Sequence, residues 1–107
     1  MRFCVSLITI IACAAGVIAD VHDYAWCEDR SFEGFNEQNT ENSAATKKAC
    51  TAYRNRNTGN QQWDKCPDCT TSFRGDLLVC NSLGWHIGGD EWQYYCRQAG
   101  ADIGKAN

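Results

Sequence analysis

Trp63-Asp64-Lys65-Cys66-Pro67-Asp68-Cys69, with the run that follows it to Cys80, decides how this chain is read. The stretch holds three cysteines and the only proline of the chain. Cys27 and Cys50 come before it, and Cys96 comes after. Cys66-Pro67-Asp68-Cys69 reads as a turn: proline presets one backbone dihedral, and Asp68 can accept backbone hydrogen bonds within it. Thr70-Thr71-Ser72-Phe73 has strand character, Arg74-Gly75-Asp76 marks a turn, and Leu77-Leu78-Val79-Cys80 reads as a buried strand. Together they predict a hairpin.

The N-terminal residues explain why cysteines dominate. Arg2, the apolar run Val5 to Ala14 and Val17-Ile18-Ala19 predict a signal peptide over residues 1–19. That run is too short to span a bilayer, and no second hydrophobic span follows. The expected product is one secreted domain, residues 20–107, with no membrane span. Of the 8 cysteines in the chain, Cys4 and Cys13 leave with the signal. An even set remains: Cys27, Cys50, Cys66, Cys69, Cys80 and Cys96. In a short exported chain this is a disulfide framework, and the sequence does not choose among its pairings. Each bridge is expected to contribute about 2–4 kcal/mol, since a domain of this size buries little core.

Charge removes some function classes. Loss of Arg2 takes one of the 10 basic side chains and none of the 13 acidic ones, so the product is mildly acidic. Nucleic-acid affinity rests on clustered cations, so no nucleic-acid partner is expected. A cationic membrane-active peptide is excluded on the same ground.

Elsewhere the pattern is mixed. Val21 to Cys27 alternates as a strand, with His22, Tyr24 and Trp26 on one face and Val21, Ala25 and Cys27 on the other. Glu28 to Glu41 is polar and reads as a loop, with a short strand near Phe32 and Phe35 as its only order. Asn42 or Ser43 can cap a helix through Tyr53, whose Ala45, Ala49 and Ala52 lie at helical spacing with Cys50 beside them. Asp90 to Cys96 fits either a strand or a helix running to Ala99 and stopped by Gly100, and its aromatic density tips the reading to strand. The tail from Ala101 is expected to fray. The fold class expected is α+β: one short helix packed on an antiparallel β-sheet in a small disulfide-rich domain.

The residues that could carry chemistry are few. Cys66-Pro67-Asp68-Cys69 has the spacing of a dithiol redox motif, but such motifs open a helix in a larger βαβ setting, and none is readable here. The pair is expected to be two staples reaching different partners. A zinc site needs a second close pair, which Cys80 and Cys96 do not make. His86 with Asp76, Asp90 or Glu91 could form an acid–base pair, yet no nucleophile accompanies it. Arg74-Gly75-Asp76 is a common tripeptide that the turn explains. No catalytic, cofactor or metal residues are assigned. The aromatics are more telling, because Trp and Tyr serve sugar stacking and protein interfaces alike. Trp85 and Trp92, set among glycines, are expected to be partly exposed, and with Tyr94 they are the candidate binding residues.

Ala45-Thr46 to Ala49-Cys50, Gln62 to Cys69, and Ile87-Gly88-Gly89-Asp90-Glu91-Trp92 to Tyr95-Cys96 resemble small secreted cysteine-rich proteins of filamentous fungi, the effector and elicitor type. The resemblance implies an extracellular, non-enzymatic protein that binds a host or microbial surface protein or polysaccharide. A homodimer is also within expectation, because an aromatic-rich small domain has surface to cover. The alternatives are a secreted antimicrobial or enzyme-inhibitor protein, a cell-wall carbohydrate binder, and a small hydrolase dependent on His86.

Overall fold

In the computed structural model, residues 20–107 are described, and the signal peptide expected over residues 1–19 lies outside them. The architecture is α+β, with two helices against antiparallel sheets and three disulfides. In chain order the elements are β1 (Val21–His22), β2 (Tyr24–Glu33), β3 (Asn36–Glu41), α1 (Ser43–Arg54), a 3-10 turn (Gln62–Asp64), β4 (Thr70–Arg74), β5 (Leu77–Asn81), β6 (Ile87–Gly88), α2 (Gly89–Gln98) and β7 (Ile103–Ala106).

β2 is the spine of the larger sheet. Ala25 pairs with both Cys80 of β5 and Ala106 of β7, so those strands lie on opposite sides of it. Glu28 pairs with both Glu41 of β3 and Ile103 of β7. β5 and β3 therefore follow one another along one edge of β2, and β7 takes the other. β4 completes the sheet beside β5. A two-stranded sheet of β1 and β6 stands apart. The predicted alternation holds at the base of β2, where Ala25 and Cys27 are fully buried and Tyr24 and Trp26 half-buried.

α1 forms where its alanines predict. The Asn42 side chain accepts from the Ala45 amide at 2.9 Å and meets an orphan donor of the first turn. Its Nδ2 also donates to the Asp29 carboxylate, tying the cap to β2. Thr46 is buried in α1; its hydroxyl accepts from the Cys27 amide at 2.9 Å. Small Ala45 and Ala49 let the helix lie close on the sheet, and Cys50–Cys80 staples it to β5.

Three expectations are corrected here. Asp90 to Cys96 belongs to a second helix, not a strand. Asp90 and Glu91 occupy its first turn, where the helix dipole favours acids. Its end is a Schellman motif: Gly100 has φ of 100°, its amide donates to the Arg97 carbonyl, and the Ala101 amide donates to the Cys96 carbonyl. Helical spacing then puts Trp92 and Cys96 on one buried face, with Cys96 bridged to Cys27.

The polar stretch Glu28–Glu41 is a long hairpin rather than a loop. Its two-residue turn opens on Gly34 at φ 66°, a left-handed position that glycine takes without strain, and Arg30 pairs with Glu37 across the strands at 3.1 Å. The C-terminal tail does not fray, since Ile103–Ala106 pairs with β2 and the Asn107 amide donates to the Tyr24 carbonyl.

The core gathers around Tyr53, Trp92, Ile87 and the cysteines, where both helices meet β2 and β5. Trp92 stacks on Tyr53 at 6.5 Å, and its indole N–H donates to the Trp26 carbonyl at 2.9 Å. The Tyr53 hydroxyl donates to the Trp63 carbonyl at 2.7 Å, lies 3.2 Å from the His86 carbonyl, and accepts from the Gly88 amide at 3.0 Å. Burial pushes its pKa up to about 12, against the opposing hydrogen bond from Gly88. It stays a neutral hydroxyl that joins α1, the 3-10 turn and β6.

Candidate functional site

The site is built upward from the Cys66-Pro67-Asp68-Cys69 turn. Cys66 and Cys69 are bridged to each other, with the Cys69 amide donating to the Cys66 carbonyl. This corrects the expectation that they reach different partners: the tight turn sets their Cα atoms 5.3 Å apart, within bridging range.

Asp68 lies between them. It reaches across to the loop after β5. One carboxylate oxygen accepts from the Ser82 hydroxyl at 2.7 Å, the other from the Gly84 amide at 2.7 Å. Burial alone would raise the pKa of Asp68, but these two hydrogen bonds outweigh it and hold the carboxyl below its usual range, aided by His86.

That contact shapes the loop from Ser82 to His86. Ser82 is fully buried; its amide donates to the Asp23 carbonyl, and its hydroxyl accepts from the His86 amide. The Trp85 amide donates back to the Ser82 carbonyl. The Gln62 side-chain amide donates to the Trp85 carbonyl at 2.7 Å and the Gly84 carbonyl at 3.2 Å. With its polar backbone groups so occupied, the loop turns its apolar side chains outward. Leu83 is 90% exposed and Trp85 is 46% exposed.

Trp85 also has φ of 58°, making it the one residue other than glycine with positive φ among the described residues. A bulky side chain in the left-handed region carries strain of about 1–3 kcal/mol and persists only where its surroundings over-determine it. Here the contacts from Asp68, Ser82 and Gln62 do so.

The other candidates separate. Tyr94 is 56% exposed on α2 and packs edge-on against Tyr95. Trp92, expected to be partly exposed, is fully buried, because helical rather than strand spacing turns it inward beside Cys96. Leu83, Phe32, Phe35 and Phe73 are exposed apolar residues that the sequence reading did not select.

The ring of His86 bonds to the Gln62 carbonyl, and that of His22 to the Asn107 carbonyl. Neither ring is hydrogen-bonded to a hydroxyl or thiol among the described residues, and no hydrogen bond or ion pair of the described residues joins His86 to Asp76, Asp90 or Glu91. The sulfurs of Cys50, Cys69 and Cys80 lie within 4.8 Å of one another, but all three are in bridges and offer no thiolate to a metal. No helix among the described residues is long and apolar enough to cross a membrane.

The model of one family, biotrophy-associated secreted protein 4, matches residues 20–105. No curated protein and no solved structure matches the chain. The match spans nearly the whole described region, so the chain belongs to the biotrophy-associated secreted protein 4 family. It is a secreted, extracellular fungal protein of the effector type.

Proposed function

We propose that this biotrophy-associated secreted protein acts by binding, without catalysis, at a host or microbial surface, and that the loop Ser82–His86 is its contact. The observation that carries the reading is Trp85: half-exposed, in a strained backbone conformation, with its amide donating to the Ser82 carbonyl, its carbonyl accepting from Gln62, and the amide of neighbouring Gly84 donating to Asp68. Ordering the loop before contact lowers the entropy lost on binding. Trp85 and Leu83 then offer apolar area around an aromatic anchor. Tyr94 supplies a second exposed aromatic, and self-association through such residues would give a homodimer. The three bridges hold the surface in shape against extracellular proteases.

The oxidised protein, residues 20–107, is infiltrated into leaf tissue beside a reduced and alkylated control and the variant Trp85→Ala. The account expects a tissue response that requires both the bridges and Trp85. An equal response to Trp85→Ala would move the contact elsewhere on the surface. A flat indole also suits a sugar ring, so cell-wall carbohydrate is the second reading. Retention on chitin or glucan that falls with Trp85→Ala would favour it.

A further inference from the structure

The outer side of α1 is a basic face on an acidic protein. The helix carries Lys47, Lys48 and Arg54 and no acidic residue, in a chain with a net charge of -3. The acids gather elsewhere: the β2–β3 arm holds Glu28, Asp29, Glu33, Glu37 and Glu41 against Arg30 alone. All three α1 cations are exposed, and no ion pair of the described residues involves any of them.

Three recesses adjoin along this face. A cleft of about 280 Å³ lies between α1 and β4, lined by Lys47, Arg54 and the exposed threonines Thr51, Thr70 and Thr71. A second, of about 400 Å³, shares Lys47 and Thr51 with the first and adds Lys48 and Ala52. A third, of about 150 Å³, shares Lys48 and Ala52 with the second and reaches Tyr95 and Gln98 of α2. The shared residues join them into one track across α1, from β4 to α2. No acidic side chain lines any part of it. The Cys50–Cys80 and Cys27–Cys96 bridges tie both helices to the sheet, so the walls of the track are set before a ligand arrives.

We propose that this track binds a polyuronate, a linear polysaccharide with carboxylates on its sugar rings. The unpaired cations suit the carboxylates, and Arg54 can hold one through two parallel hydrogen bonds. The threonine hydroxyls both donate and accept, as sugar hydroxyls do. Tyr95 adds a partly exposed aromatic ring at the far end, a surface suited to the flat side of a sugar. Linked recesses accommodate a chain better than a single ring. An anionic membrane fits less well, because insertion needs apolar side chains and no Leu, Ile, Val, Phe, Met or Trp lines the track. The site goes beyond the contact loop Ser82–His86: none of the loop's residues lines it, and it does not depend on Trp85.

The test titrates the oxidised protein, residues 20–107, with polygalacturonate at low salt. Fully methyl-esterified pectin, the same backbone without its charge, and poly-glutamate, an anionic peptide without sugar hydroxyls, are the comparisons. Polygalacturonate is expected to bind at least roughly tenfold more tightly than either. Lys47→Glu/Lys48→Glu/Arg54→Glu should weaken it by roughly tenfold or more, and Trp85→Ala should leave it unchanged. Raising the salt concentration should weaken it in the unmodified protein, which keeps the test valid if the triple variant folds poorly. No binding of polygalacturonate, or an affinity indifferent to charge reversal and salt, would overturn the proposal. Equal binding of the methyl ester would do the same, and equal binding of poly-glutamate would assign the track to an acidic peptide instead. Loss of binding in Trp85→Ala would move the sugar to the loop and also overturn it.

Discussion

The stapled core and the β2–β3 arm are built from the same strand. In the lower half of β2, Ala25 and Cys27 are fully buried under both helices, with partners on each side. In its upper half, from Arg30 to Glu33, every residue is exposed and β3 is the only strand alongside among the described residues. One element thus passes from a cross-linked interior to a free ribbon. The lower half owes its order to bridges and aromatic packing, the upper half to a glycine turn and backbone pairing. The loop carrying Trp85 is a third case: it lies at the surface but is wired to the core through Asp68 and Ser82.

This contrast can be broken in a graded way. Trp92→Ala removes the largest fully buried side chain together with its hydrogen bond to Trp26, and is expected to cost about 3–5 kcal/mol in urea unfolding. A cost below about 1 kcal/mol would mean that the bridges alone hold the helices. Tyr53→Phe keeps the ring but leaves the Gly88 amide without its partner, with an expected loss of about 1–3 kcal/mol. Calorimetry at neutral pH measures it, and an unchanged melting temperature would remove Tyr53 as the junction of three elements.

Asp68→Asn sharpens the middle case. The folded pKa of Asp68 is depressed, so its contribution to stability is present above the unfolded value of about 3.9 and is lost as pH falls through the folded value. The variant should be less stable than the parent at neutral pH, and the gap should narrow on acidification below about pH 4. The effect is expected to be modest, since solvent screens a group that is not deeply buried. A gap that widens in acid would show the sign to be wrong. The smallest effect belongs to the arm. Phe35→Ser, at the fully exposed tip, should shift the unfolding midpoint by less than about 0.5 kcal/mol. A larger loss would show that the arm folds back on the body.

The legible parts of the fold were those whose local and tertiary signals agree. Ala45, Ala49 and the Asn42 cap specify α1, and Thr70 to Cys80 specifies a hairpin turning at Gly75, with φ of 64°. The arm was hidden because neither of its faces is buried, so no alternation marks its strands. α2 was misread because Trp92, Tyr94 and Tyr95 have high strand propensity. The decisive signals lie at its ends, the acidic first turn and Gly100 as a stop; both are legible in the sequence and were outweighed by that propensity. β7 was missed because its one strong apolar signal is Ile103; its order comes from that residue's burial, from pairing with β2, and from the close approach of Gly104 to Trp92.

At the site, Trp85 was legible as an exposed aromatic among glycines. Its confinement was not, because the hydrogen bonds that Asp68 accepts and Gln62 donates cross 16 to 23 residues of sequence. The pairing of Cys66 with Cys69 was also beyond the sequence, which offered many pairings and no geometry.

The central claim is that Trp85 is held in its strained conformation for contact rather than for stability. The most direct test is the urea unfolding midpoint of Trp85→Gly. Glycine adopts φ near 58° without strain, so relief of strain should offset most of the burial lost with the half-exposed indole. The account predicts stability within about 1 kcal/mol of the parent. A loss of about 3 kcal/mol or more, the cost of deleting a core tryptophan, would identify Trp85 as a packing residue and contradict it.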